Sequence, residues 1–306
     1  MAYQQTTATS VEDLIDKVAV FAATLGWTVE RNTIVSGNRT VSLKRAESDF
    51  VHIFNTDTLS IRIRASTGIN TSLAATAQPG VSAAEAESNC GSGPFASVFL
   101  FGDTNPTAYV NVVFDTGNSI FRHFCFGMIQ KVGSWTGGTY FDALWLQTGS
   151  NWDANPLSTT HHPMFGYANG IEGGIRVDVP PSTNVFAPIM EGGSTGFTPP
   201  YRVSGGVTAD RDQQGFYLAG VNSWSGVTPL RQIKLRVERG SGFFSEIGYV
   251  PGIRLVNIAR WATGDEFSIG PDTWKVFPWW RQGARPPGDT TGAYSGNYGY
   301  AYLKTL

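Results

Sequence analysis

Residues 108–147 read AYVNVVF (108–114), the turn DTGN (115–118), SIFRHFCFGMIQKVG (119–133), the turn WTGG (135–138) and TYFDALWLQ (139–147). β-Branched and aromatic runs separated by Gly-containing turns predict three consecutive antiparallel strands. The middle run is apolar at both parities. Side chains alternate along a strand, so Phe121, Cys125 and Ile129 share one face, and Ile120, Phe124, Phe126 and Met128 the other. A strand apolar on both faces is covered on both, which places this one centrally in a layered β fold. Arg122 and His123 lie inside it as a structural buried pair, and each needs a polar partner there.

The remainder of the 306-residue chain has the composition of such a fold. Charged residues make up 15% and Gly reaches 36 residues, fewer charges and more glycine than an average globular chain. Aromatic residues make up 13%, and with many Gly-marked turns they argue for a mainly β protein. A net charge of −2 and the lack of any basic block leave no electrostatic case for nucleic acid or an anionic membrane. The polar start MAYQQTTATS is not a signal peptide, and no apolar run approaches the ~20 residues that span a bilayer. The expectation is a chain made in the cytoplasm without export. Cys90 lies in a Ser/Gly-rich loop and Cys125 in the apolar strand, so the two are not a disulfide framework.

Toward the N-terminus, Val11, Leu14, Ile15, Val18, Phe21, Ala22 and Leu25 recur at helical spacing over residues 11–25. Ser10 with Asp13 three residues later resembles a capping box, and Gly26 supplies a left-handed stop. Short strands are predicted at 27–30, 39–45, 50–54 and 59–64. Helix and strands together predict a small α+β domain over residues 1–68. Residues 69–94 carry almost no large apolar side chain and read as a linker or docking arm, with 1–9 as a second polar arm. Residues 95–306 hold about a dozen short strand signals, which predict a large antiparallel β-sandwich or barrel-like domain.

Motifs of chemistry are sparse. Gly193-Ser194-Thr195-Gly196 lacks the spacing of a nucleophile elbow, and no phosphate-binding glycine loop or paired-histidine zinc motif is present. His161 and His162, near Asp153, are adjacent on an extended chain and so point apart rather than at one ion. Asp142, Asp153, Asp265 and Glu266 offer carboxylates for a glycosidase, on residue type alone. No catalytic, cofactor-binding or metal-ligating residue is assigned. The densest aromatic cluster is Trp261, Trp274, Trp279 and Trp280 with Arg281 and the tyrosines Tyr298 and Tyr300. Trp, Tyr and Arg dominate interface energetics, so Trp279, Trp280, Arg281, Tyr298 and Tyr300 are interface candidates.

IRLVNIARWATGDEFSIGPDTWKVFPWWR (253–281) followed by GNYGYAYLK (296–304) resembles a family of tailed-bacteriophage virion structural proteins. FRHFCFGMIQKVGSWTGGTY (121–140), TATSVEDLIDKVAVFAATLGW (7–27), QPG (78–80) and GPF (93–95) are similar to the same family, in order. The match is weakest over 148–167 and 185–227. The resemblance implies a non-enzymatic building block of the virion tail or baseplate. Its expected partners are tube, sheath or baseplate subunits, with copies in a three- or six-fold ring and no cofactor. Other positions that fit are the neck or collar and capsid decoration. A different class is a glycan- or receptor-binding module using Trp274, Trp279 and Trp280, and a further one is a glycan depolymerase.

Overall fold

The computed structural model describes residues 1–144, 174–178, 186–189, 230–238 and 244–304, apart from 47–48, 82–85, 105–106, 118, 135–139, 284–294 and 296. In chain order the first half runs β1 (Ala2–Ala8), α1 (Val11–Thr24), β2 (Thr28–Val35), β3 (Asn38–Ala46), β4 (Asp49–Phe54), β5 (Ser60–Ser66), a 3₁₀ turn at Ala75–Ala77 and β6 (Ala86–Asn89). Then come β7 (Phe95–Asp103), β8 (Tyr109–Asp115), β9 (Phe121–Met128), β10 (Gln130–Lys131), β11 (Tyr140–Leu144), β12 (Gly174–Asp178) and β13 (Phe186–Ile189). The chain closes with β14 (Arg231–Glu238), β15 (Phe244–Asn257), β16 (Glu266–Ile269), β17 (Asp272–Pro278) and β18 (Tyr298–Leu303). The fold is mainly β and antiparallel, with its helix in the N-terminal region.

β8, β9 and β11 form the expected meander inside a central sheet of order β1-β7-β8-β9-β11-β12-β13. β9 is its middle strand and buries both faces. Phe124 and Phe126 pack into one hydrophobic cluster, Phe121 and Cys125 into another. Gly127, at φ 143°, ends the regular part of β9 where the Met128 amide turns to the Ala108 carbonyl, 2.7 Å away. The chain then leaves the central sheet, and β10 pairs with β15 in the far sheet, of order β10-β15-β18-β17-β16 with β14 also on β15. A third sheet, β2-β3-β4-β5-β6, lies on the helix side.

α1 begins where expected. The Ser10 hydroxyl accepts from the Asp13 amide at 3.2 Å, and Asp13 Oδ2 accepts from the Thr9 amide at 2.8 Å, a reciprocal cap. Leu25 caps the C-terminus and Gly26 follows at φ 76°, a conformation that costs a Cβ-bearing residue. The apolar stripe of Leu14, Ile15, Val18, Phe21 and Ala22 is buried together with Val41, Leu43, Ile53 and Ile63 of the helix-side sheet and Leu100, Val112 and Phe126 of the central one. Burying each large side chain contributes about 1.5–3 kcal/mol.

Two expected arms are built into sheets. Residues 2–8 of the polar N-terminal arm form β1, paired with β7 from Ala2↔Gly102 to Ala8↔Phe95. Within the 69–94 linker, β6 pairs with β5 as the edge of the helix-side sheet, and Gln78 is buried. Its side-chain oxygen accepts from the Asn70 amide (2.7 Å), while Nε2 donates to the carbonyls of Asn70, Leu73 and Ala74 at 2.9–3.0 Å. The strap is therefore held through hydrogen bonds rather than large apolar anchors, which is why apolar periodicity does not reveal it.

Candidate functional site

The pair Arg122-His123 is split by the pleat of β9. His123 faces the far sheet and is fully buried, whereas Arg122 faces the helix side and is only half-buried, so the pair is not jointly buried as expected. His123 Nε2 lies 2.9 Å from the Pro278 carbonyl oxygen of β17, and Nδ1 lies 2.8 Å from the Tyr302 hydroxyl of β18. A carbonyl only accepts, so Nε2 carries the proton and Nδ1 accepts from Tyr302. Burial drives the ring pKa down to about 3, with the Arg122 charge pushing the same way against the Pro278 hydrogen bond. The Tyr302 ring stacks nearly parallel on the imidazole, 5.9 Å between centroids, and its hydroxyl pKa is raised by burial. A neutral imidazole with both nitrogens bonded inside a sheet–sheet core joins the two layers; it has no face for a substrate.

The tryptophans fill the same interlayer space. Trp279 and Trp280 are 2% and 4% exposed and share a cluster with Phe99, Phe121, Phe277 and Tyr300. These interface candidates are core, as is Tyr300, which is fully buried. The reason is the pleat of β17 and β18, which turns Phe277, Tyr300 and Tyr302 toward the central sheet, and the chain past Pro278 stays in the layer: the Trp280 carbonyl accepts from the Phe121 amide at 2.9 Å. Trp274 faces the opposite side of the far sheet, 4% exposed, beneath the Arg254 guanidinium at 5.3 Å from the ring centroid. None of these three tryptophans lines an open groove, which removes the observation on which a sugar-stacking site would rest. Arg281 is half-buried, and its carbonyl accepts from the Ser295 amide and hydroxyl, each at 2.8 Å. Tyr298 belongs to β18, and its side chain lies outside the described residues.

The proposed acids have other occupations. Asp265 accepts from the Ala262 amide at 2.7 Å and closes the turn before β16. Glu266 accepts from Lys275 (2.9 Å) and Lys304 (2.8 Å). Its slight burial alone would raise the carboxyl pKa, but the two lysines hold it below the usual range. Lys304 also sits over the Tyr3 ring at 4.8 Å, which ties β1 to the far sheet. The Asp142 side chain, Asp153, His161, His162 and the 193–196 segment lie outside the described residues. Among the described residues no group of three His, Cys, Asp or Glu could hold a metal ion. Cys90 and Cys125 are free and buried, and burial pushes the Cys90 thiol up to about 12 despite the nearby Arg122 charge.

A second buried histidine had no signal in the sequence. His52 of β4 is fully buried on the face of the helix-side sheet away from α1. Ser66 donates to the Gly68 carbonyl at 2.7 Å, so His52 Nε2–H donates to Ser66 (2.7 Å) and Ser42 donates to Nδ1 (2.8 Å). Burial lowers its pKa to about 4, with the Arg31 charge acting in the same direction. Ser42, His52 and Ser66 meet through strand register, which only the pairing of β3, β4 and β5 sets. A serine hydroxyl bonded to a histidine suggests a nucleophile, but all three side chains are closed to solvent and the histidine ties β4 to the serines of β3 and β5.

A scan of protein-family models and a search of curated proteins return no match to this chain.

Proposed function

We propose that this chain is a structural subunit of a tailed-phage virion, placed in the tail at the baseplate or tail end, where it joins tube or sheath to peripheral parts. The carrying observation is that His123, Trp279 and Trp280, the side chains best suited to chemistry or ligand stacking, are spent on holding the central sheet to the far sheet. Among the described residues, the outermost strands of three sheets have one side with no paired strand, suited to packing against neighbours. The ordered resemblance over 7–27, 78–80, 93–95, 121–140, 253–281 and 296–304 supplies the tail assignment. In this reading the subunit performs no reaction, and its copies close a three- or six-fold ring through heterologous contacts.

Mass spectrometry of gradient-purified particles from cells propagating the encoding genome, followed by reconstruction, tests the proposal. The expected result is this chain in infectious particles and density for it at the distal tail. Its absence from particles, or density for it only on the capsid, overturns the placement.

A further inference from the structure

The open sheet edges are not alike. β2 carries Glu30 and Arg31 with a register shift beside them, β6 carries Glu87, β10 Lys131, β14 Lys234 and Arg236, β16 Glu266, and β13 Pro188. Charge, proline and bulges are the devices that stop a strand edge from pairing with another chain. β1, with the sequence Ala-Tyr-Gln-Gln-Thr-Thr-Ala, has neither charge nor proline. Its one register shift, Thr6↔Val98 to Ala8↔Phe95, puts the extra residue on β7 and leaves β1 regular. Gln4, Gln5 and Thr7 are exposed, and no described strand pairs with its outer side. Every second residue of β1 therefore directs an amide and a carbonyl away from β7, with no described strand to receive them.

We propose that β1 pairs, antiparallel, with β1 of a second copy of this chain, across a two-fold axis at Gln5. The edge is self-complementary. In an antiparallel pair the two facing residues point their backbone groups the same way, so the axis must pass through a residue. Gln5, the middle of Ala2–Ala8, gives the longest overlap: Tyr3 opposite Thr7, Gln4 opposite Thr6, and Gln5 opposite itself. No charge meets its like, the usual obstacle to an isologous strand pair. A charged edge such as β2 would pair less readily with itself. The contact makes one continuous sheet of the two central sheets and places α1 of both copies on one side. This inference goes beyond the tail reading and does not rest on it. A two-fold contact closes no ring by itself; within a ring assembly it joins two rings.

Sedimentation of the full chain and of Gln5→Lys and Gln5→Glu, alone and mixed in equal amounts, tests the pairing. The Gln5 side chain is exposed, so each variant keeps the fold, checked by far-ultraviolet circular dichroism. The expected result is that the unaltered chain sediments as a dimer or a multiple of one. Each variant alone falls to half the mass, and the mixture regains the full mass through the opposite charges. An unaltered chain that stays monomeric, a mass indifferent to Gln5→Lys, or a mixture that stays at the lower mass each overturns the pairing. Rescue by mixing separates repulsion at Gln5 from misfolding, which a partner of opposite charge would not reverse. Presence of the chain in particles, which tests the tail reading, is independent of all these outcomes.

Discussion

The Tyr302 hydroxyl donates to Nδ1 of His123 at 2.8 Å, linking residues 179 positions apart and joining the far sheet to the middle strand of the central one. Tyr302→Phe keeps the ring packing on Phe101, 5.1 Å between centroids, and removes only the donor. The imidazole nitrogen is then buried without a partner, which costs about 1–3 kcal/mol. Urea denaturation should show a lower midpoint with an unchanged slope.

Acid should weaken the fold through two histidines. In the native state His52 and His123 are held neutral, with pKa values of about 4 and about 3, while in the unfolded chain each ionises near 6.5. Below 6.5 the unfolded state binds more protons, so stability is complete above that pH and declines as pH falls toward 4 for His52 and 3 for His123. Each contributes up to about 1.4 kcal/mol per pH unit inside its window. Thermal melts between pH 8 and 4 should fall on the acid side. His52→Gln should shallow the decline, and an unchanged slope in that variant would refute the assignment.

Trp280→Ala should act on the core rather than on a ligand. The ring is 4% exposed among Phe and Tyr side chains, and its loss leaves a cavity worth about 3–5 kcal/mol. A glycan array probed with the unaltered chain and the variant offers the opposing outcome: binding that disappears while the melting temperature holds.

Gly127→Ala should be among the most damaging single-methyl additions. A Cβ there would sit 2.5 Å from Tyr109 Cα and closer still to the Ala108 carbonyl oxygen, at a φ of 143° that L residues rarely adopt. Both obstacles are backbone, so neither can swing aside. Loss of soluble expression, or a melting temperature far below that of the unaltered chain, is the expected readout.

Gln78→Ala should loosen the strap locally. It strips one bond from the Asn70 amide and three from carbonyls at Asn70, Leu73 and Ala74. Hydrogen exchange should quicken over residues 67–81 and leave β9 protected, because strap and central sheet open at different free energies.

The chain's local order is legible without coordinates. The two-sided apolar pattern of β9, the helical stripe with its Ser10 and Gly26 ends, and the hairpins of the far sheet follow from periods of two and 3.6 residues and from caps closed within a few residues. Partners across the layers are another matter. That His123 meets Tyr302 and Pro278, that Ser42, His52 and Ser66 align, and that Trp279 and Trp280 turn inward depend on strand register between distant segments, where a one-residue slip reverses every face. The same holds for residues 1–9 and 69–94. Their polar composition reads as arms, because a strand edge is satisfied by backbone and a strap by a single buried amide, neither of which apolar periodicity records. Sequence by itself therefore determined the layers' middle strand and the helix. Only tertiary structure decided that the aromatic cluster is core and that the N-terminal segment is the outermost described strand on its side of the central sheet.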